Sequence, residues 1–454
     1  MTENAGKNLR KTLPRRELAT LRLPDRDPLA ILEDQHRTRL ADLIGVRVGR
    51  MLDSPFAYYR GTAAVMAADL AVEPVSGPRV VSCGDAHISN FGFFASPERT
   101  LLFDLNDFDE AGVASWEWDV KRLAASVYIG GRDLGLSEDE CRAATVTAVQ
   151  SYVTTLVELV QLSPFERYFV RVSSDDLEAA LTGASRRITR KVTTKARTRT
   201  SEQVLAKITT RGDDGQLRIV DQAPVTRHVE HASAAEIEAL YAQYRGTLRE
   251  DSAFLLSQYR PTDVVLRVVG VGSVGTRCYV LALEGPDGDA VFLQAKEAQP
   301  SVLTTYGGMP ATIPGSTDAS DFAEGRRVVA GQRILQAQSD PFLGHIVGFA
   351  GDRGRDVRVD YYWRQFRDMK GSVELSRLPS AQFVEYGQVC GKLLARAHSQ
   401  SPAAPTVAGY AGSGDRVPLA LADWSAAYAD VVEADFAALE RAAEAGRLPV
   451  ERGV

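Results

Sequence analysis

Cys83-Gly84-Asp85-Ala86-His87-Ile88-Ser89-Asn90, followed by Phe103-Asp104-Leu105-Asn106-Asp107-Phe108-Asp109-Glu110-Ala111-Gly112, is the stretch that decides how this chain is read. Arg79 to Cys83 is a short β-branched run ending at the Gly84-Asp85 turn, so Asp85 is delivered at the end of a strand. Phe91 to Phe94 and Leu101 to Phe103 read as the arms of a hairpin closed by Ser96-Pro97-Glu98-Arg99. That hairpin returns the chain to a second group of aspartates. Phosphoryl transfer needs such a set: a carboxylate (Asp85) to orient an attacking hydroxyl, and an Asn and an Asp (Asn90, Asp107) to hold Mg²⁺ against phosphates.

Outward from this stretch the periodicity is mostly helical. Residues 1–27 are polar and read as a loose arm, and the apolar spacing predicts a helix from Ala30 to Gly49. Ser54-Pro55 opens a second helix, Phe56 to Leu70; Trp116 to Val127 and Glu138 to Leu162 are two more. Residues 163–250 are polar and mostly helical in pattern. Arg186, Arg187, Arg190, Lys191, Lys195, Arg197 and Arg199 read as a solvated face, with a site for an anionic partner as the sharper alternative.

At Pro261 the pattern turns strand-like, with β-rich runs at Val264 to Val269, Arg277 to Leu283 and Ala290 to Ala295. Gly270-Val271-Gly272-Ser273-Val274-Gly275 lies between the first two runs. A dinucleotide-binding GxGxxG should open a helix, whereas here a strand follows, so the loop is either a phosphate-covering hairpin or a merely structural one. Lys296 closes the third run, as an exposed edge charge or a phosphate-holding cation. A helix is expected from Asp321 to Gln338, carrying Glu324 near its start as the carboxylate to pair with Lys296, and a strand from Val357 to Phe366. Ala381 to His398 and Leu419 to Ala445 close the chain as helices, on either side of a Pro/Ala/Gly loop.

Gly84, Asp85, His87 and Asn90 resemble the HGDxHxxN catalytic loop of aminoglycoside, choline and fructosamine kinases, with Cys83 where that family has its leading His. Asp107-Phe108-Asp109-Glu110-Ala111-Gly112 resembles the IDFxDAG pattern of the same enzymes, and Lys296 their strand lysine. The helix Tyr386 to His398 is similar to the one that precedes their catalytic loop. The resemblance implies an α+β, two-lobed protein-kinase-like fold in circularly permuted order, because the catalytic motifs come first and the glycine loop follows. It divides the chain into an arm and helix (1–50), a helical lobe with the catalytic and metal loops (51–255), a β-rich nucleotide lobe (256–370) and helices that return to the helical lobe (371–454). Asp85 would act as base with His87 beside it. Gly270, Gly272, Ser273 and Gly275 would cover the phosphates of ATP, with Lys296 and Glu324 behind. Asn90 and Asp107 would hold Mg²⁺, with Asp104 as alternative ligand and Asp119 anchoring the loop. Ser54-Pro55-Phe56, Arg60-Gly61 and Trp116 to Leu123 also resemble a large uncharacterised bacterial family marked by GDAHxxNFG and NDFDE motifs, which implies no activity.

Composition is permissive: 44% apolar and 25% charged residues suit a globular chain, and a net charge of −6 argues against a dedicated nucleic-acid binder. Four scattered cysteines favour a reducing cytoplasm over disulfides or zinc, and no apolar run predicts a signal peptide or a membrane span. The expected activity is therefore ATP- and Mg²⁺-dependent transfer of a phosphoryl group to a hydroxyl, on a small molecule in preference to a protein. AMP transfer on the same fold, a non-catalytic nucleotide-binding regulator and a metallophosphoesterase using Asp85, His87 and Asp107 are the alternatives. Arg60 reads as a surface salt bridge or as a contact to substrate or phosphate.

Overall fold

The computed structural model describes residues 3–199, 208–213, 215–228, 233–268, 270–315, 323–350, 354–366 and 369–453. The chain is an α+β protein, with an antiparallel sheet set against a larger helical body.

The helical body is built around the decisive stretch. β1 (Arg79–Ser82) pairs antiparallel with β4 (Gly112–Ser115), and the hairpin of β2 (Phe91–Ala95) and β3 (Leu101–Leu105) is inserted between them. β4 runs directly into the helix Trp116–Asp133, whose first sixteen residues are all buried. Ser137 then starts the helix Glu138–Leu159 with a reciprocal capping box to Glu140, which satisfies otherwise orphaned N–H groups. The helix Ser380–His398 packs along it. Trp116 stacks parallel on Tyr152 at 6.1 Å, so the core begins at the residue where strand becomes helix.

A small hairpin, β5 (Thr209–Arg211) and β6 (Leu217–Ile219), precedes the main sheet. That sheet contains β7 (Thr226–His228), β8 (Arg260–Arg267), β9 (Cys278–Glu284), β10 (Ala290–Ala298), β11 (Gly344–Ala350) and β12 (Gly354–Gln365), in the order β11-β12-β10-β9-β8-β7. All its pairs are antiparallel, and β10 is central, with Lys296 opposite Cys278 on β9 and Tyr362 on β12.

Several elements differ from their sequence expectation. The helix expected over Ala30 to Gly49 is two helices, Pro28–His36 and Ile44–Met51, joined through a 3-10 turn at Ala41–Leu43. The break is tertiary in origin. Leu40 N–H donates to Gly275 O at 2.8 Å and Arg39 Nη1 to Val274 O at 2.5 Å, which draws the segment out of helical register onto the glycine loop. The helix expected over Phe56 to Leu70 is likewise divided at Thr62 into Pro55–Gly61 and Ala63–Leu70. Ala404–Ala411 is helical where a loop was read, and β11, β4 and β5 to β7 were not foreseen. The predicted helix from Asp321 is observed as Glu324–Leu335; Asp321 itself and Val269 lie outside the described residues.

Candidate active site

A cleft of about 860 Å³ separates the sheet from the helical body. Asp85, His87, Asn90, Asp107 and Asp109 line it from one side, and Gly270, Gly272 and Ser273 from the other. Segments almost two hundred residues apart in sequence thus face one solvent-filled space.

Asp85 owes its position to Gly84 and Asp119. Gly84 has φ +80°, and a Cβ there would stand 2.3 Å from Glu110 O, so no other residue fits the turn. Asp119, on the helix Trp116–Asp133, accepts Cys83 N–H at 2.8 Å and Gly84 N–H at 3.0 Å. This is the anchoring role expected of it. Its Oδ2 also meets His398 Nε2 at 3.1 Å, and Tyr152 Oη holds the other ring nitrogen at 2.8 Å. The last residue of the helix Ser380–His398 is therefore one side chain away from the loop.

The Asp85 carboxylate accepts Arg122 Nε at 2.7 Å, and the Arg122 guanidinium lies 3.8 Å over the Tyr59 ring. Burial pushes the Asp85 carboxyl above its ordinary range, with Arg122 opposing, a balance suited to a group that exchanges a proton. Asn90 Nδ2 donates to Asp85 O at 2.8 Å, which leaves the amide oxygen unspent for another partner. His87 is buried with Nε2 3.8 Å from Asp85 Oδ2 and Nδ1 lacking any partner. Burial, then Arg122 and Arg60, drive its pKa well down, so the imidazole is neutral.

The two cleft aspartates after β3 differ in what they hold. Asp109 forms an ion pair with Lys296 and accepts Tyr362 Oη at 2.6 Å. Burial works to raise Asp109, but the Lys296 ammonium and the Tyr362 hydroxyl carry it below the usual carboxylate range. Asp107 accepts only the N–H of Asp109, at 3.4 Å, and is raised by burial and then by the charge of Asp109. Lys296, on β10, is buried and is not itself one of the lining residues.

Asp104 is placed elsewhere. It is 1% exposed, and its two oxygens accept Leu105 N–H and Ala337 N–H, each at 2.8 Å, so it joins β3 to the sheet side and does not line the cleft. Glu324 does line the cleft, but it pairs with Arg327 at 2.5 Å and not with Lys296. Arg327, in turn, donates to Ala111 O, Asp109 O and Gln299 O, which fixes the aspartate loop against β10. Gly275 is outside the lining; its φ of +86° brings it onto the Arg39 side chain. Among the described residues, no group of three or more His, Cys, Asp or Glu is placed to share a metal ion.

Sequence reasoning passed over Arg39 and Arg47, which also line the cleft beside Arg60. Neither carries a motif, and an arginine in a helical pattern ordinarily reads as surface charge. Among the described residues Arg60 forms no ion pair, and its Nε is buried without an acceptor. The four cysteines are free and buried.

Fold and site together define an α+β protein with one large polar cleft, in which an aspartate-asparagine turn and a lysine-paired aspartate face a glycine loop. The chain belongs to the family described as uncharacterized proteins conserved in bacteria (DUF2252), whose model matches residues 39–442. No curated protein and no solved structure matches it significantly. Among the described residues, no helix is long and apolar enough to cross a membrane.

Proposed function

We propose that this protein is an ATP- and Mg²⁺-dependent phosphotransferase with a two-lobed, circularly permuted protein-kinase-like arrangement, working in the bacterial cytoplasm on an acceptor hydroxyl. One observation carries the reading: Asp85, Asn90, Asp107 and the Gly270–Ser273 loop meet in a single cleft, with Lys296 behind it. The junction of His398 with Asp119 supports the permutation, because it sets the end of one helix beside the loop that would follow it in the ordinary kinase order.

The donor chemistry fits the nucleotide and its ion. Mg²⁺ takes one or two protein ligands and fills its remaining positions with phosphates and water, so a pre-assembled cage of three acids is not needed. The unspent Asn90 oxygen and the Asp107 carboxylate are the protein groups that would hold it, and bound there it would neutralise charge on the phosphates. Lys296 stays charged, since Asp109 raises its pKa against burial, and it would hold phosphate oxygens on exchange from Asp109. Asp85 orients the acceptor hydroxyl and takes its proton. As that oxygen bonds to the γ-phosphorus in line, the bond from phosphorus to the bridging oxygen breaks and ADP leaves.

The test is thermal unfolding with and without Mg²⁺ and ATP, beside Lys296→Ala and Asp107→Asn. Ligand at a hundred times Kd should add about 2.7 kcal/mol to stability in the native protein. A Mg²⁺-dependent rise that both variants lose is expected; no rise at millimolar ATP would remove the nucleotide from the reading. Label placed on the α- or the γ-phosphate then separates AMP transfer from phosphoryl transfer.

A further inference from the structure

Arg47 is fully buried at the cleft wall. Its Nη2 donates to Gln35 Oε1 and Gly61 O, both at 3.0 Å, while its Nε and Nη1 are buried with no acceptor. The charged and titratable groups that face it are Arg39, Tyr306, Tyr58 and His36; no carboxylate is among them. Arg39, 8% exposed, spends Nη1 on Val274 O and also leaves Nε buried without an acceptor. Arg60 Nε is in the same condition.

The acids that face Arg39 (Glu110, Glu297 and Asp109) and Arg60 (Asp85) are engaged elsewhere. Asp85 is taken by Arg122, Asp109 by Lys296, Glu324 by Arg327, and Glu297 by Arg277 at 2.9 Å. Glu110, near Arg39, gives its carboxylate to Val302 N–H at 2.6 Å. A buried guanidinium keeps its proton and is strongly destabilising unless an anion meets it. A cleft wall with several unspent N–H donors on arginine, and no acid hydrogen-bonded to them among the described residues, is built for a ligand that brings the negative charge.

We propose that Arg47 and Arg60, flanked by Arg39, form a subsite for a phosphate group carried by the acceptor, so that the molecule phosphorylated is itself a phosphate monoester with a free hydroxyl. The inference rests on the phosphotransferase reading above. Phosphate is favoured over carboxylate because its charge of nearly two and its three terminal oxygens match donors arriving from more than one guanidinium. The acceptor's side of the reaction is favoured over the nucleotide's because Arg60 faces Asp85, the group that takes the hydroxyl proton, whereas Asn90, Asp107 and Lys296 already account for the nucleotide phosphates. Anchoring the acceptor by its phosphate presents its hydroxyl to Asp85 in a fixed pose, which is where intramolecular rate advantage comes from.

Inorganic phosphate is the probe, titrated at constant ionic strength into the full chain and followed by thermal unfolding, with sodium acetate as the carboxylate control. The titration is repeated at saturating Mg²⁺ and a non-hydrolysable ATP analogue. Phosphate should raise the unfolding midpoint both with and without nucleotide, and more than acetate does. Arg60→Met, whose side chain makes no internal hydrogen bond, should weaken phosphate binding at least tenfold and leave the nucleotide shift in place. Arg47→Met should abolish phosphate binding if it folds. A phosphate shift no larger than acetate's, or one that survives in Arg60→Met, would overturn the subsite. A shift that disappears once nucleotide is bound would hand the arginines to the nucleotide and overturn the acceptor assignment. If phosphate binds through the arginines while nucleotide produces no shift, the phosphotransferase reading has failed and the acceptor falls with it.

Discussion

Lys296 and Asp109 join the sheet to the aspartate loop through one ion pair. Lys296 is buried on β10, Asp109 reaches it from the half-buried loop after β3, and Tyr362 donates its hydroxyl to the same carboxylate. Removing one partner leaves the other buried and unmatched. Lys296→Met should therefore lower unfolding stability by about 3 kcal/mol, read by urea denaturation at pH 7. The double variant with Asp109→Asn should recover part of that loss, and strict additivity would show that the pair does not interact. Asp109 is held below the ordinary range in the folded chain, so its share of stability is present above the unfolded carboxylate pKa and is lost as pH falls through the folded one. Glu110 behaves in the opposite sense. Burial pushes its pKa up to about 7 from 4.5, so the folded chain holds an extra proton between those values and stability falls as pH rises through that window. Glu110→Gln, which can still accept from Val302 N–H, should flatten this slope: little change near pH 4.5, a gain near pH 8. An unaltered pH profile would show that another group is responsible.

At the scale of elements, the glycine loop is held from outside by the segment that interrupts the first predicted helix. Arg50 Nη1 donates to Gly270 O at 2.5 Å, while Arg39 and Leu40 grip Val274 O and Gly275 O. Gly270 and Gly275 both have positive φ, at +69° and +86°, but only Gly275 is also crowded, with a Cβ there 3.1 Å from Arg39 Cβ. Gly270→Ala should cost about 1–2 kcal/mol, the left-handed penalty alone. Gly275→Ala should cost more, because Arg39 must move as well, and equal losses by calorimetry would contradict the close approach. This segment also marks where sequence reading stops. Periodicity finds helices such as Glu138–Leu159 and Ser380–His398 because their buried faces recur every turn. It continued a helix through 37–43 because nothing local forbids one; the hydrogen bonds that win there come from residues more than two hundred positions away. β11, Gly344-His345-Ile346-Val347-Gly348-Phe349-Ala350, carries two glycines and was hidden by them, although its ladder to β12 is regular up to Phe349.

Over the whole molecule, motif residues were the legible part of the site, since Asp85, His87, Asn90 and Asp107 do face one cleft with the glycine loop. Pairing was not legible. Lys296 met Asp109 and not Glu324, and Asp104 went to backbone N–H groups, because partner choice is settled by how the sheet docks on the helices. The arginine wall was invisible for the same reason: burial is a property of the assembled chain. Asp119 ties these levels together, and Asp119→Ala would strand the N–H groups of Cys83 and Gly84 as well as His398. At roughly 1–3 kcal/mol for each buried donor left without an acceptor, the variant should lose about 3 kcal/mol or more in urea unfolding. A loss under about 1 kcal/mol would show that the loop stands without it.

The bond between His398 and Asp119 also sets a timetable. On the ribosome the helix that braces the loop of Asp85 and Asp107 is translated some three hundred residues after them. At about 5–20 residues per second, the aspartates wait on the order of tens of seconds before His398 can reach Asp119. Until then the nascent polypeptide carries its acidic loop without its brace, and the cleft stays incomplete.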